Sequence, residues 1–126
     1  WFSADEDVRE RYGADKRSQF QFTLSAYENI FKMLELVSIK KWYHSIDREL
    51  PILLVSGKDD PIGNFGKGIE EIYGRLSGEG CCIEMKLYDG IRHELQGDPD
   101  REIIFNDMLN WMKNYAEEPV SMNGIY

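Results

Sequence analysis

Two short stretches hold the side chains best suited to chemistry. "GKDDPIGNFGKG", residues 57–68, sets Asp59 and Asp60 among glycines and a proline. "YDGIRHELQG", residues 88–97, carries His93, one of only two histidines in the 126-residue chain. A carboxylate brought against an imidazole is the orienting half of a nucleophilic triad. The carboxylate fixes the tautomer, and the imidazole takes a proton from the nucleophile. Asp60 and His93 are the candidates for that pair.

The elements around them decide whether the pair can meet. "ILLVS", residues 52–56, is an unbroken apolar run, the mark of a strand buried on both faces. Asn64 can cap a helix through "FGKGIEEIYGRLSG", with Ile69, Ile72, Tyr73 and Leu76 on one side and Gly78 and Gly80 at its end. "IEMKLY", residues 83–88, alternates: Ile83, Met85 and Leu87 on one face, Glu84 and Lys86 on the other, as in a strand nearer an edge. Strand, helix, strand implies a right-handed crossover between parallel strands. In open parallel sheets, sites gather beyond the carboxyl ends of the strands. Asp60 lies four residues past the first strand and His93 five past the second. Neighbouring strands are ~4.8 Å apart, so the two loops open side by side. On spacing alone the bland alternative stays open, with each side chain solvated separately in its own loop.

The flanks read as helical. "SADE" at Ser3–Glu6 has capping-box form, with Gly13 as a stop after "DVRERY". "SAYE" at Ser25 opens a second helix, whose Tyr27, Ile30, Phe31, Leu34 and Val37 recur at three- and four-residue spacing. "SIKKWYHSID" reads as a second short helix, which leaves His44 on a helix surface. Asp98 caps and Pro99 starts a last helix, with Ile103, Ile104, Met108, Trp111 and Met112 as its buried stripe. The boundaries implied are a helical segment over 1–46, a strand–helix core over 47–116 and a loose tail over 117–126. Trp1, Phe2, Phe20, Phe22, Tyr27 and Phe31 could line an apolar pocket, but core packing is the commoner use of such a set.

Composition narrows the class. Hydrophobic content of 42% and charged content of 30% are ordinary for a globular domain. A net charge of -8 disfavours nucleic acid and anionic membrane surfaces, both of which need clustered Lys and Arg. No apolar run approaches the ~18 residues of a membrane span. The only cysteines, Cys81 and Cys82, are adjacent, which fits a reducing, cytoplasmic setting better than a disulfide framework. Metal-ligand spacing is absent, and the glycines at 57–68 lack the G-x-x-x-x-G-K-[ST] order of a phosphate loop. No metal or cofactor is expected.

At these residues the chain resembles the serine α/β-hydrolases, in the branch of lysophospholipases, monoacylglycerol lipases and serine aminopeptidase-like enzymes. "PILLVSGKDDPIGNFGKGIEEIYGRL" is similar to the family's strand, acid loop and following helix, which puts Asp60, the aspartate before Pro61, in the triad-acid position. "EMKLYDGIRHELQGDPDREIIFNDMLNWM" is similar to its last strand, histidine loop and C-terminal helix, with His93 as the triad base. "WFSADEDVRERYGAD" and "FQFTLSAYENIFKML" resemble part of the cap that follows the nucleophile half. The resemblance implies a partial α/β-hydrolase fold, with parallel strands, flanking helices and a helical cap (lid) over 1–46. It implies cleavage of carboxylic esters of lysophospholipid, monoacylglycerol or other small acyl type. One feature departs from the family. Its chain order is Ser, Asp, His, with the serine in G-x-S-x-G, and none of the eight serines here has glycine two before and two after. The chain therefore reads as cap, acid and base of a serine hydrolase. Its partners would be the N-terminal half of such an enzyme, or a second copy, and a lipid-like or small ester. The alternative is a non-catalytic interaction module, a degenerate hydrolase half that docks onto a partner.

Overall fold

The computed structural model describes residues 1–116; the expected loose tail over 117–126 lies outside the described residues. Element order is α1 (Glu6–Ala14), a 3-10 turn (Lys16–Ser18), α2 (Leu24–Ser38), α3 (Lys40–His44), β1 (Ile52–Gly57), α4 (Lys67–Gly78), β2 (Ile83–Tyr88) and α5 (Arg101–Tyr115). The class is α/β, with parallel strands flanked by helices. β1 and β2 pair in parallel, in register from Ile52↔Ile83 to Gly57↔Tyr88, and α4 is the crossover between them. Both carboxyl ends therefore lie on one edge of the sheet.

The core sits between α3, α4 and the start of the sheet. Tyr43, Leu76 and Cys81 are buried together, with Ile46, Ile52, Ile72 and Ile83 packed against them. A fully buried leucine such as Leu76 contributes about 1.5–3 kcal/mol. Ile91 and Ile104 are buried as well. Both cysteines are free, and Cys81 has the ordinary role of a small buried apolar group.

Several local expectations are corrected. Helix α1 is capped by Asp5, whose carboxylate accepts from the Val8 amide at 3.2 Å, and not by Ser3. Helix α2 is capped by Thr23, whose hydroxyl accepts from the Ala26 amide at 3.2 Å, so Ser25 falls inside the first turn. Helix α4 begins at Lys67, not at Asn64. Asn64, Phe65 and Gly66 all take positive φ, at 51°, 55° and 84°, so the chain turns through three left-handed residues before the helix starts. Helix α5 begins at Arg101, because the Asp98 carboxylate accepts from the Asp100 amide at 3.0 Å and closes a turn one step earlier.

Burial departs from the sequence pattern in a consistent way. β1 was expected to be buried on both faces, yet Ile52–Val55 are only half-buried, since β2 is the one strand paired with it among the described residues. The apolar stripe of α2 is exposed along its length. In α5 only Ile104 is fully buried; Met108 and Trp111 are half-covered, while Ile103 and Met112 are exposed. The aromatic set does not form a core. Apart from the half-buried Phe2, these rings are exposed, and some of them pack edge-on, as at Phe20–Phe22 and Phe22–Tyr27. Periodicity reads which residues share a helix face. It does not say whether anything covers that face.

Candidate active site

The loop that carries Asp60 leaves the carboxyl end of β1 and is stitched at once to the histidine loop. The Lys58 amide donates to the Tyr88 carbonyl at 2.8 Å, carrying the parallel ladder one step past the strands. The Asp59 amide donates to the Ile91 carbonyl at 2.9 Å. Gly57 makes this approach possible: a Cβ there would lie 2.1 Å from the Ile91 carbonyl oxygen. Only a residue without a side chain lets the two backbones close to this distance.

Asp60 is buried, at 5% exposure, while Asp59 faces solvent. A buried carboxylate needs partners for both oxygens, and Asp60 has them. Its Oδ1 accepts from the Ile62 amide at 2.8 Å, the turn that Pro61 permits. Its Oδ2 lies 3.0 Å from Nδ1 of His93. The Asp60 carbonyl is also engaged, accepting from the Phe65 amide at 2.8 Å. The left-handed turn at Asn64–Gly66 that follows is strained for a non-glycine pair, and such strain tends to concentrate at functional sites.

The His93 side chain is 41% exposed and is held between Asp60 and the indole of Trp1, whose ring centre is 5.5 Å away. An ionised carboxylate accepts only, so the proton of a neutral imidazole belongs on Nδ1. Nε2 is then left with a lone pair, free to take a proton from an approaching hydroxyl. The structure thus brings together the two residues singled out from the sequence, 33 positions apart.

Two features escaped the sequence reading. His44 is not simply exposed: its Nδ1 lies 2.8 Å from Oε2 of Glu79, which also pairs with Arg48 at 3.3 Å. This second histidine–carboxylate pair borders a shallow cavity of about 290 Å³ lined by Lys40, Tyr43, His44, Arg75 and Glu79. It lies at the carboxyl end of α4, beyond the amino ends of the strands, and so on the sheet edge opposite Asp60 and His93. Asp98 is buried at 1% exposure, and its Oδ2 has no hydrogen-bond partner among the described residues. Neither feature carries a signal in sequence, since each depends on what folds over it. Among the described residues no three His, Cys, Asp or Glu side chains converge as metal ligands would, and no helix is long and apolar enough to cross a membrane.

Solved structures share this architecture. A lipase in an open form aligns with a TM-score of 0.80 at 26% identity, over 90% of this chain and 37% of that one. A highly thermostable carboxyl esterase from Bacillus coagulans, in complex with glycerol, aligns with a TM-score of 0.80 at 23% identity, over 88% and 37% of the two chains, and at that identity supports the fold alone. The chain thus spans little more than a third of either structure. A comparison with curated proteins finds no match. The family model for serine aminopeptidase, S33 (Hydrolase_4) matches residues 1–100, through β1, the Asp60 loop, β2 and the His93 loop, and the chain belongs to that family.

Proposed function

We propose that Asp60 and His93 are the acid and base of a Ser–His–Asp triad that cleaves carboxylic esters of a lipid-like or small acyl substrate. The observation that carries this reading is the 3.0 Å contact between Asp60 Oδ2 and His93 Nδ1, made by a buried carboxylate whose other oxygen is already satisfied. Asp60 holds His93 in the Nδ1–H tautomer. Nε2 takes the proton of a serine hydroxyl as that oxygen attacks the ester carbonyl, and returns it to the departing alcohol. Water then repeats the sequence on the acyl-enzyme. The serine belongs to a G-x-S-x-G elbow outside this chain. Ser56 is no substitute: it is buried at the end of β1, and its hydroxyl donates weakly to the Gly57 carbonyl at 3.4 Å.

The test compares the chain with an intact hydrolase that contains it. The chain alone is expected to hydrolyse no p-nitrophenyl ester and to take no fluorophosphonate label. In the intact enzyme, His93→Ala should lower kcat by about 10⁴-fold or more with the fold retained. Active-site labelling of the isolated chain, or full turnover by the His93→Ala enzyme, would remove these residues from the mechanism.

A further inference from the structure

Among the described residues, the loop that carries His93 makes no backbone hydrogen bonds to the strands beyond Ile91. From Arg92 onward the loop is tied to the first residues of the chain by two of its backbone groups and one side chain. The Glu94 amide donates to the Phe2 carbonyl at 2.8 Å. The Ser3 hydroxyl donates to the Gly97 carbonyl at 3.2 Å. The Arg92 guanidinium donates to the Ser3 carbonyl at 3.2 Å. These three contacts bracket His93 on both sides, and two residues supply all of them.

Ser3 is itself anchored. It has no exposed surface. Its hydroxyl oxygen accepts from the Asp5 amide at 3.0 Å, and its carbonyl also accepts from Arg9 at 3.0 Å. Arg9 reaches the Ala4 carbonyl too, at 2.7 Å. Helix α1 therefore holds the irregular segment 2–4, and that segment holds the histidine loop. Trp1 continues the same strap and lays its indole beside the imidazole. A hydroxyl buried this completely with one donor and one acceptor contact is costly to lose, since Gly97 and Asp5 would each be left with an unmatched polar group.

We propose that Phe2 and Ser3 are positioning residues for His93, strapping both sides of its loop to helix α1 so that the direction of the imidazole is set by the N-terminal segment as well as by Asp60. The proposal rests on His93 as the base only for its catalytic consequence; the strap itself can be read without turnover.

The readout is the tautomer of His93 in the full 126-residue chain, from the ¹⁵N shifts of its two ring nitrogens. The native chain should show the Nδ1–H form. A free imidazole prefers Nε2–H, so a loosened loop shifts the balance that way. Ser3→Ala should move the tautomer ratio toward Nε2–H by about fivefold to tenfold, the size of one hydrogen bond's net contribution. Ser3→Thr, which keeps the hydroxyl, should restore it. Asp60→Asn marks the limit of complete loss. A folded Ser3→Ala chain with the native ratio overturns the proposal. If Ser3→Ala does not fold, Arg9→Gln decides: it slackens the strap from the solvent side, and an unchanged ratio in that folded variant is equally fatal. Failure of the triad reading looks different, as an intact hydrolase that works without His93 while the tautomer still follows Ser3.

Discussion

Gly57→Ala is a one-methyl change whose effect can be worked from distances. The new Cβ would stand 2.1 Å from the Ile91 carbonyl oxygen, 2.4 Å from its carbon and 2.5 Å from the Arg92 carbonyl oxygen. An ordinary carbon–oxygen contact is about 3.3 Å or longer, so the histidine loop must retreat by roughly 1 Å. All three obstructing atoms are backbone, so no side-chain rotation relieves the clash. The Asp59–Ile91 hydrogen bond, now 2.9 Å, lies in the path of that retreat, and the 3.0 Å Asp60–His93 contact stretches toward the limit of a useful hydrogen bond. Overpacking of this kind costs about 1–3 kcal/mol. With His93 in the proposed role of base, a misplacement of ~1 Å in an intact hydrolase would also cost about 100-fold in kcat. The assay is urea denaturation of the chain together with the His93 ring ¹⁵N spectrum. Gly74→Ala is the control, because its Cβ meets nothing within 4 Å on the exposed side of α4. The same chemical change there should stabilise by about 0.5–1 kcal/mol. If Gly57→Ala matches the native chain in both stability and ring spectrum, the tight apposition of the two loops is wrong.

Two other outcomes are expected. Burial, then the hydrogen bond to Asp107, pushes the Tyr88 phenol up to about 12 from its ordinary 10.0, while Lys86 beside it holds Asp107 below the usual carboxylate value. The folded state therefore favours neutral Tyr88. The stability this confers is complete below about pH 10 and lost as pH rises toward 12; Tyr88→Phe should lessen the alkaline decline in a pH series of denaturation curves, to which Tyr115, raised to about 12 first by its hydrogen bond to Glu84, also contributes, and an unchanged decline would refute the assignment. The half-buried β1, the two sheet edges left open among the described residues and the exposed stripe of α2 should make the chain self-associate, since unpaired strand edges invite pairing. Sedimentation should show mass rising with concentration; a compact monomer at all concentrations would overturn this.

The strands and the candidate pair were legible because their signals are local. "ILLVS" and "IEMKLY" become β1 and β2 within a residue, and parallel pairing puts the Asp60 and His93 loops on one edge whatever the details of packing. The helix starts were misread at four places, because a Ser, Thr, Asp or Asn near a helix can cap it, close a turn or bond elsewhere, and the choice depends on where the chain goes next. Ser3 shows this most sharply. In sequence it opens a capping box; in the fold its hydroxyl binds Gly97, 94 residues away. Burial was the least legible of all. The stripes of α2 and α5 have the right period for a core, but a period is a property of one helix and coverage is a property of two surfaces. The orientation of His93 belongs to the same class, since three of the contacts that hold its loop come from residues at the other end of the chain. Local patterns single out Asp60 and His93 as candidates; only tertiary contacts bring them together.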